Sequence, residues 1–354
     1  MNNTYFYNDK PLFGLDIGFK TVKVMQLNST GNNKYTVNGY GVANFDESAV
    51  RNGVIVDYEK IARSIQQMFE KDLVGEITTR RVAFSVPASR TFSRILTLPL
   101  LAKKDLAEAV KLEAEQYIPV PIDDLYIDHT IIRKDNKNTD VLAVAVPKKI
   151  VDSYLLLAKL LGLEAVVMET TTGATDRLFR YTDQHNVPSV LIDFGSVSAD
   201  ISVYDQHLAV TGTVPGGGDD ITGLIAEKLN VTKDEAHLIK IKYGLSVSKK
   251  QAQIQEALAP LLQKTIKEVK RMIRYHEERS EKHGKIEQIV TFGGGANVPG
   301  LSEYLIDNLR VPVRACDPWN NIVFKNLQPP SPIERSMYIT AASLALIKPQ
   351  EIFV

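Results

Sequence analysis

Short apolar runs alternate with amphipathic stretches along most of this chain. Alternating or continuous apolar positions predict strands over residues 12–27, 35–43, 80–86, 189–204 and 286–292. Apolar residues at helical spacing predict helices over 57–71, 102–117, 148–161 and 250–282. Pro260 lies inside the last of these, so that helix is either kinked or divided into two. Because strands and helices alternate, the pattern predicts an α/β fold.

The stretch 91–168 has a pattern of its own. Its predicted order is strand, helix, strand, strand, helix, strand, which is typical of a split βαβ sandwich. A second distinct region, 216–284, is predicted to be almost entirely helical. We therefore expect an inserted module at 91–168 and a helical subdomain at 216–284.

Two segments repeat one strand–turn–strand pattern around Asp-x-Gly. The first, FGLDIGFKTVKV, begins at Phe13, and the second, VLIDFGSVSADI, begins at Val190. Their aspartates, Asp16 and Asp193, are 177 residues apart. A duplicated half-chain is the simplest explanation of such a repeat.

The chemistry of the repeat points to a phosphate ligand. Glycine permits a tight turn and lets backbone N–H groups approach a phosphate. An aspartate at the end of a buried strand costs free energy unless it is solvated or faces a cation, and Mg²⁺ prefers oxygen ligands. A single Asp-x-Gly is equally typical of an ordinary hairpin. Two copies, together with a third glycine loop at Gly293, Gly294 and Gly295, favour a polyphosphate site with Mg²⁺.

Composition excludes several other classes of protein. The 354 residues include 42 basic and 42 acidic side chains, so there is no general attraction to nucleic acid or to anionic lipid. The single cysteine, Cys316, excludes an intrachain disulfide. Residues 1–10 are polar, and no apolar run approaches the roughly 20 residues of a membrane span. We expect a cytoplasmic chain with no direct membrane insertion.

These motifs together resemble the actin-like ATPase fold, in which two duplicated halves enclose a nucleotide cleft. The resemblance implies ATP and Mg²⁺ as ligands, with Asp16 and Asp193 holding the metal through water. It implies that the nucleotide is bound by Asp16, Gly18, Phe19, Lys20, Asp193, Gly195, Ser196, Gly217, Gly293, Gly294, Gly295 and Asn297.

Three further site predictions have open alternatives. Lys23 has the spacing of the phosphate-loop lysine in actin, or it is an outward-facing strand lysine. Glu268 and Arg271 match the acid–base pair that the superfamily places beside ribose and adenine, or they form a plain surface pair. Glu169 is the candidate catalytic residue that positions water, or it only marks a helix start.

The middle module narrows the choice of family. Leu98-Pro99, the run EAEQYIPVPIDD from Glu113, and Asp128 resemble the type IV pilus assembly protein PilM family. That resemblance implies an ATP-binding component of the inner-membrane assembly platform, at most a slow ATPase. It also implies a position at the inner face of the cytoplasmic membrane, where the chain would bind other platform proteins and the N-terminal tail of a PilN-like membrane protein. An FtsA-like filament protein and a sugar-kinase-like phosphotransferase are the alternatives.

The domain boundaries follow from these motifs. We predict a first half from 1–90, 169–188 and 333–354, and the inserted module at 91–168. We predict a second half from 189–215 and 285–332, which carries the helical subdomain 216–284.

Overall fold

The computed structural model describes residues 11–31, 33–183, 187–279 and 285–352. The predicted boundaries at residues 1, 284 and 354 therefore lie outside the described residues. The chain divides into two compact units. The first half runs to Leu178 and includes Pro318–Pro330 and the chain from Tyr338, and the second half comprises Phe179–Asp317 and Ser331–Met337.

The first half is built on a mixed sheet. Before the inserted module, its elements are β1 (Phe13–Ile17), β2 (Thr21–Gly31), β3 (Lys34–Asn44), β4 (Val50–Arg51), β5 (Val54–Ile55), α1 (Tyr58–Gln67), β6 (Val74–Gly75) and β7 (Arg81–Val86). Phe13 and Leu15 of β1 share one buried core with Val82 and Phe84 of β7. This period of two is the one expected where alternate side chains of a strand face the same side of a sheet.

The middle of the chain follows the predicted order of elements. They are β8 (Phe92–Pro99), α2 (Lys103–Tyr117), β9 (Leu125–Lys134), β10 (Asn138–Pro147), α3 (Lys148–Leu160), β11 (Glu164–Thr170) and α4 (Thr171–Thr182). Among the described residues, β8, β10 and β9 form a separate antiparallel sheet in that order. Helix α2 packs on this sheet through Leu106 and Val110.

The second half contains a further sheet and its helices. They are β12 (Ser189–Phe194), β13 (Ser198–Asp205), β14 (His207–Pro215), α5 (Gly218–Leu229), α6 (Lys233–Lys242), α7 (Gln251–Arg279), β15 (Gln288–Phe292), α8 (Leu301–Leu309) and β16 (Val313–Ala315). Pro260 lies inside α7, which is one helix and is not divided there. The remaining elements are β17 (Ile322–Val323), α9 (Pro332–Arg335), α10 (Ile339–Ala345) and α11 (Pro349–Ile352).

The two central sheets have the same topology. Five strands of the first-half sheet have the order β3-β2-β1-β7-β11, with β17 and β6 adding to β3, and the second-half sheet has the matching order β14-β13-β12-β15-β16. The first three strands in each are antiparallel, and the last two add in parallel. The predicted duplication is therefore confirmed by topology as well as by the repeated motif.

The inserted module is shorter than predicted. Strand β11, assigned to the module from its pattern, pairs in parallel with β7 of the central sheet. Helix α3 buries Ile150, Tyr154 and Leu157 in the first-half core. Parallel pairing joins strands that are distant in sequence, so the local pattern did not reveal which sheet β11 joins. The module's own elements are β8, α2, β9 and β10.

Three other boundaries also differ from the prediction. Pro318–Pro330 lies in the first half because β17 pairs with β3. Ser331–Met337 lies in the second half, where Asn297 Nδ2 donates to Ser336 Oγ at 2.6 Å. The chain passes to the second half at Phe179, whose ring packs edge-on against Tyr204 with centroids 4.9 Å apart.

Candidate functional site

The first Asp-x-Gly segment forms a hairpin with a two-residue loop. The Gly18 N–H donates to the Thr21 carbonyl at 2.9 Å, and Phe19 and Lys20 form the tip. Phe19 is half-buried and Lys20 is exposed. The Lys20 ammonium lies 5.7 Å from the Phe19 ring centroid and 3.4 Å from the Glu47 carboxylate. A lysine at the tip suits an anionic ligand, and the predicted phosphate contacts of Gly18, Phe19 and Lys20 stay predictions.

Asp16 lies beside this turn and is almost fully buried. Lys23 is directly opposite on β2, and its Nζ donates to Asp16 Oδ2 at 3.0 Å. Ser85 Oγ of β7 donates to Asp16 Oδ1 at 2.6 Å. Charged hydrogen bonds of this kind offset the cost of burying a carboxylate. Lys23 therefore points inward toward Asp16 and is not an outward-facing strand lysine.

The second Asp-x-Gly segment repeats this geometry. The Gly195 N–H donates to the Ser198 carbonyl at 2.9 Å, and the Gly218 N–H at the start of α5 donates to the Gly195 carbonyl at 2.9 Å. Gly217 lies so close that a Cβ there would be 2.5 Å from the Gly195 carbonyl oxygen and 2.6 Å from that of Ser196. The backbone at the start of α5 is thus packed directly on the turn, where the Asp219 N–H also donates to the Ser196 carbonyl at 2.8 Å.

The third glycine loop packs on the same turn. Strand β15 is parallel to β12, so the carboxyl ends of both strands lie at one edge of the sheet. Gly293 has φ +77°, and a Cβ there would collide with Asp193 Oδ1 and lie 2.6 Å from the Phe194 carbonyl oxygen. A Cβ on Gly295 would be 2.7 Å from the Phe194 Cβ. The backbone of Gly293 is therefore packed directly against the Asp193 carboxylate, and the contact of Asp193 with a hydrated Mg²⁺ stays a prediction.

Asn297 ends the third loop and anchors it. Its Nδ2 donates to the Ile333 carbonyl at 3.0 Å and to Ser336 Oγ at 2.6 Å. Gly294 is more open, because a Cβ there would meet only Met337 Cγ, at 3.9 Å. The side-chain amide of Asn297 thus serves the fold of the loop, and its contact with a nucleotide stays a prediction.

Glu268 and Arg271 form a bidentate ion pair on α7. Arg271 Nε donates to Glu268 Oε2 at 2.9 Å, and Nη2 donates to Oε1 at 2.5 Å. This hydrogen bonding lowers the pKa of Glu268. Glu268 Oε1 also covers Gly212 of β14, at 3.0 Å from where a Cβ would stand. The pair therefore lies over the third strand of the second-half sheet, and its role beside the ribose stays a prediction.

Glu169 is the last residue but one of β11 and lies opposite Ser85 on β7. Arg177 of α4 donates to both of its oxygens, from Nη2 at 2.9 Å and from Nε at 3.4 Å. Arg177 is also paired with Glu351 of α11. Burial lowers the pKa of Arg177, and the two carboxylates raise it by more. This ion pair favours a structural role for Glu169 over water positioning.

Two polar residues at these turns were missed by the sequence reasoning. Ser85 is the hydroxyl donor to Asp16. Lys240 of α6 donates from Nζ to the Gly218 carbonyl at 2.9 Å and to Thr222 Oγ1 at 2.8 Å, which places a cation at the start of α5. The signal for Lys240 was its position four residues after the buried Ala236, which puts both on the inner face of one helix.

A model of the family described as type IV pilus assembly protein PilM matches residues 14–348. The chain belongs to the PilM family. It is thus a PilM-type actin-like protein of type IV pilus assembly. No helix in the described part of the chain is long and apolar enough to cross a bilayer.

Cell division proteins are also related in sequence. FtsA of Bacillus subtilis (strain 168) is 25% identical over 361 residues, covering 90% of this chain and 80% of FtsA. FtsA of Buchnera aphidicola subsp. Acyrthosiphon pisum (strain APS) is 25% identical over 164 residues, covering 39% of each chain.

Solved structures confirm the actin-like ATPase fold. A chain of a PilM–PilN type IV pilus biogenesis complex matches with a TM-score of 0.81 and 21% identity, covering 95% of this chain and 98% of that one. Ethanolamine utilization protein EutJ from Carboxydothermus hydrogenoformans matches with a TM-score of 0.56 and 15% identity, covering 94% and 88%. MreB 5 of Spiroplasma citri bound to AMPPNP matches with a TM-score of 0.54 and 12% identity, covering 95% of each chain.

Proposed function

We propose that this PilM-family chain binds ATP with Mg²⁺ and holds a PilN-like membrane protein by its cytoplasmic N-terminal tail. The nucleotide part is supported chiefly by the two turns closed at Gly18 and Gly195, each preceded by an aspartate. Close backbone packing at Gly217, Gly293 and Gly295 of the second half gives further support, because successive backbone N–H groups in turns form anion-binding sites in proteins. The chain would then act at the inner face of the cytoplasmic membrane.

The turn residues have distinct parts in this proposal. Asp16 and Asp193 would hold Mg²⁺ through its waters, and backbone N–H groups of the two turns would bind phosphate oxygens. Bound Mg²⁺ would neutralise phosphate charge. The residues proposed to surround the nucleotide are Gly18, Phe19, Lys20, Lys23, Gly195, Ser196, Gly217, Glu268, Arg271, Gly293, Gly294, Gly295 and Asn297.

Calorimetric titration of MgATP into Asp193→Ala tests the nucleotide part. We expect affinity at least about tenfold below that of the unsubstituted chain, since a charge-assisted contact is lost, with the circular dichroism spectrum unchanged. Asp140→Ala is the control, because Asp140 is paired with Arg133 in the inserted module. Unchanged affinity of Asp193→Ala would contradict the assignment of the second turn.

Hydrolysis is proposed to be slow. Glu169 is the only carboxylate assigned to water positioning, and Arg177 holds both of its oxygens. Nucleotide would then act by shifting conformational populations and not by turnover. Several turnovers per second in the purified chain would contradict this, and a turnover screen with sugars would detect a phosphotransferase.

The proposed tail site lies where the inserted module meets the first half. Tyr126 at the start of β9 donates to Asp152 Oδ1 of α3 at 3.0 Å. Leu155 and Leu156, three and four residues further along α3, are 43% and 54% exposed, and this spacing puts them on the same helix surface as Asp152. We name Tyr126, Asp152, Leu155 and Leu156 the junction surface. It offers apolar side chains beside an edge strand, which suits an extended peptide.

The choice of occupant rests on the similar PilM–PilN structure. A short tail of a PilN-like protein should bind with a Kd of roughly micromolar or tighter, because a disordered peptide loses affinity to ordering. Fluorescence anisotropy with the labelled tail from the same genome measures this directly. Absence of binding to the full chain would contradict the proposed partner.

A pair of charge substitutions locates the site. Leu156→Asp should weaken tail binding at least about tenfold, because a charge would replace an apolar side chain that the bound tail covers. Leu238→Asp is the control, since Leu238 is 61% exposed on α6 of the second half. Equal binding by the two variants would place the tail elsewhere.

A further inference from the structure

Ser85 is a polar residue in a strand that is buried throughout. It lies on β7, all six residues of which are buried, and its own exposure is 1%. A hydroxyl in such a place costs free energy unless it is hydrogen-bonded. Its bond to Asp16 Oδ1, at 2.6 Å, has the length of a hydrogen bond to a charged acceptor. The Asp16 carboxylate is thus the group that satisfies the buried Ser85 hydroxyl.

The duplicated half shows that the fold does not require this hydroxyl. Leu15 of β1 is opposite Phe84 of β7, which puts Ser85 beside Asp16. In the second half the residue opposite Asp193 is Phe292 of β15. Phe292 therefore takes, beside Asp193, the strand position that Ser85 takes beside Asp16.

The two partners of Asp16 constrain it differently. Lys23 brings a charge on a flexible four-carbon chain, whereas Ser85 brings a short donor from a central strand. A short donor to one carboxylate oxygen limits rotation of the group about its Cβ–Cγ bond. The carboxylate retains further lone pairs for other ligands, because each oxygen has about two.

We propose that Ser85 is a positioning residue, which orients the Asp16 carboxylate toward the water shell of Mg²⁺ in the MgATP complex. This inference rests on the proposed nucleotide function. It implies that the loss of Ser85 weakens the magnesium-dependent part of ATP binding and leaves the magnesium-independent part intact.

Calorimetric titration of ATP, once with Mg²⁺ and once with EDTA, tests this in three variants. Ser85→Ala removes the hydroxyl, and Ser85→Cys keeps similar volume with a weak donor. Ser343→Ala is the control, a fully buried first-half serine that donates to the Ala174 carbonyl at 2.5 Å. For both Ser85 variants we expect MgATP affinity to fall about tenfold and metal-free ATP affinity to change less than twofold. Ser343→Ala should change neither.

The outcomes separate the inference from the function on which it rests. Equal losses with and without Mg²⁺ would indicate a merely structural effect and overturn the positioning role. Full MgATP affinity in Ser85→Cys or Ser85→Ala would overturn it too, and the cysteine variant decides the matter if the alanine variant does not fold. Absence of ATP binding by the unsubstituted chain would overturn the proposed nucleotide function itself.

Discussion

The two Asp-x-Gly turns share a backbone but differ in charge. Each is closed by an N–H···O hydrogen bond of 2.9 Å between residues three apart, Gly18 to Thr21 and Gly195 to Ser198. In the first half the residue opposite Asp16 is Lys23, and in the second half the residue opposite Asp193 is Asp200. The first carboxylate thus has a cation directly across its hairpin, while the residue across from the second is another aspartate, whose Oδ1 accepts from Thr213 Oγ1 at 2.7 Å. Duplication preserved the turn, and the two halves then diverged in electrostatics.

The third strands differ in a similar way. Gly41 of β3 and Gly212 of β14 occupy equivalent positions, opposite Val24 and Ile201 of the second strands. A methionine sulfur covers each glycine, Met68 at 3.1 Å and Met272 at 3.2 Å from where a Cβ would stand, and the Glu268 carboxylate also covers Gly212, at 3.0 Å. The second half thus adds one member of an ion pair to a cover that is apolar in the first.

The largest expected effect on stability concerns the close approach of Gly293 to Asp193. Gly293→Ala should destabilise the second half by about 3–4 kcal/mol, because φ is +77° and the new Cβ collides with Asp193 and Phe194. Gly294→Ala has open space and should cost under about 1 kcal/mol. Urea unfolding of both variants is the measurement. Similar midpoints would show that the second turn does not need this close approach.

A smaller effect separates the two carboxylates. Lys23→Met should destabilise the first half by about 2–3 kcal/mol, because it leaves Asp16 buried without its counter-charge. Asp200→Asn should change stability by less than about 1 kcal/mol, because it removes a like charge opposite Asp193 while the amide oxygen can still accept from Thr213 Oγ1. Thermal and urea unfolding of the two variants compare them. A larger loss in Asp200→Asn would reverse the proposed contrast.

The smallest expected effect is a pH dependence of the stability that the Glu268–Arg271 pair contributes to the second half. The hydrogen bonds from Arg271 lower the folded-state pKa of Glu268. Their stabilisation is therefore present above the unfolded pKa, about 4.3, and is lost as pH falls through the folded value. Because Arg271 is largely exposed, Glu268→Gln should cost only about 0.5 kcal/mol at pH 7, and the difference should vanish at low pH.

Met68→Leu in the first half is the matched variant for this measurement. It changes the apolar cover of Gly41 without altering a titrating group, so its stability difference should not depend on pH. Urea unfolding of both variants between pH 3 and 7, a range chosen to span roughly the carboxylate pKa values, makes the comparison. A pH-independent cost for Glu268→Gln would contradict the ion-pair explanation.

Local chemistry was sufficient to predict the turns of this protein. The Asp-x-Gly repeat predicted two equivalent hairpins, which the bonds at Gly18 and Gly195 close. The approach of the glycines at 293–295 to a nucleotide stays a prediction. The α/β class, the duplication and the existence of a separate module also follow from patterns within short windows. The reason is that turn conformation and strand periodicity depend on neighbouring residues.

Long-range pairing decided the rest. The sequence did not reveal that β11 joins β7, that β17 joins β3, or that Arg177 holds Glu169. It also left open whether Lys23 points inward, and it did not reveal that Ser85 is the second partner of Asp16. The β11 and β17 pairings and the bond from Ser85 depend on which distant strand lies alongside, and parallel pairing leaves no local signal because its partners are joined by long crossovers. The Lys23–Asp16 and Arg177–Glu169 pairs are close in sequence, but both depend on how a side chain is oriented in the folded chain. The local sequence was therefore sufficient to determine the turns, whereas the residues around each carboxylate were determined only by the tertiary structure.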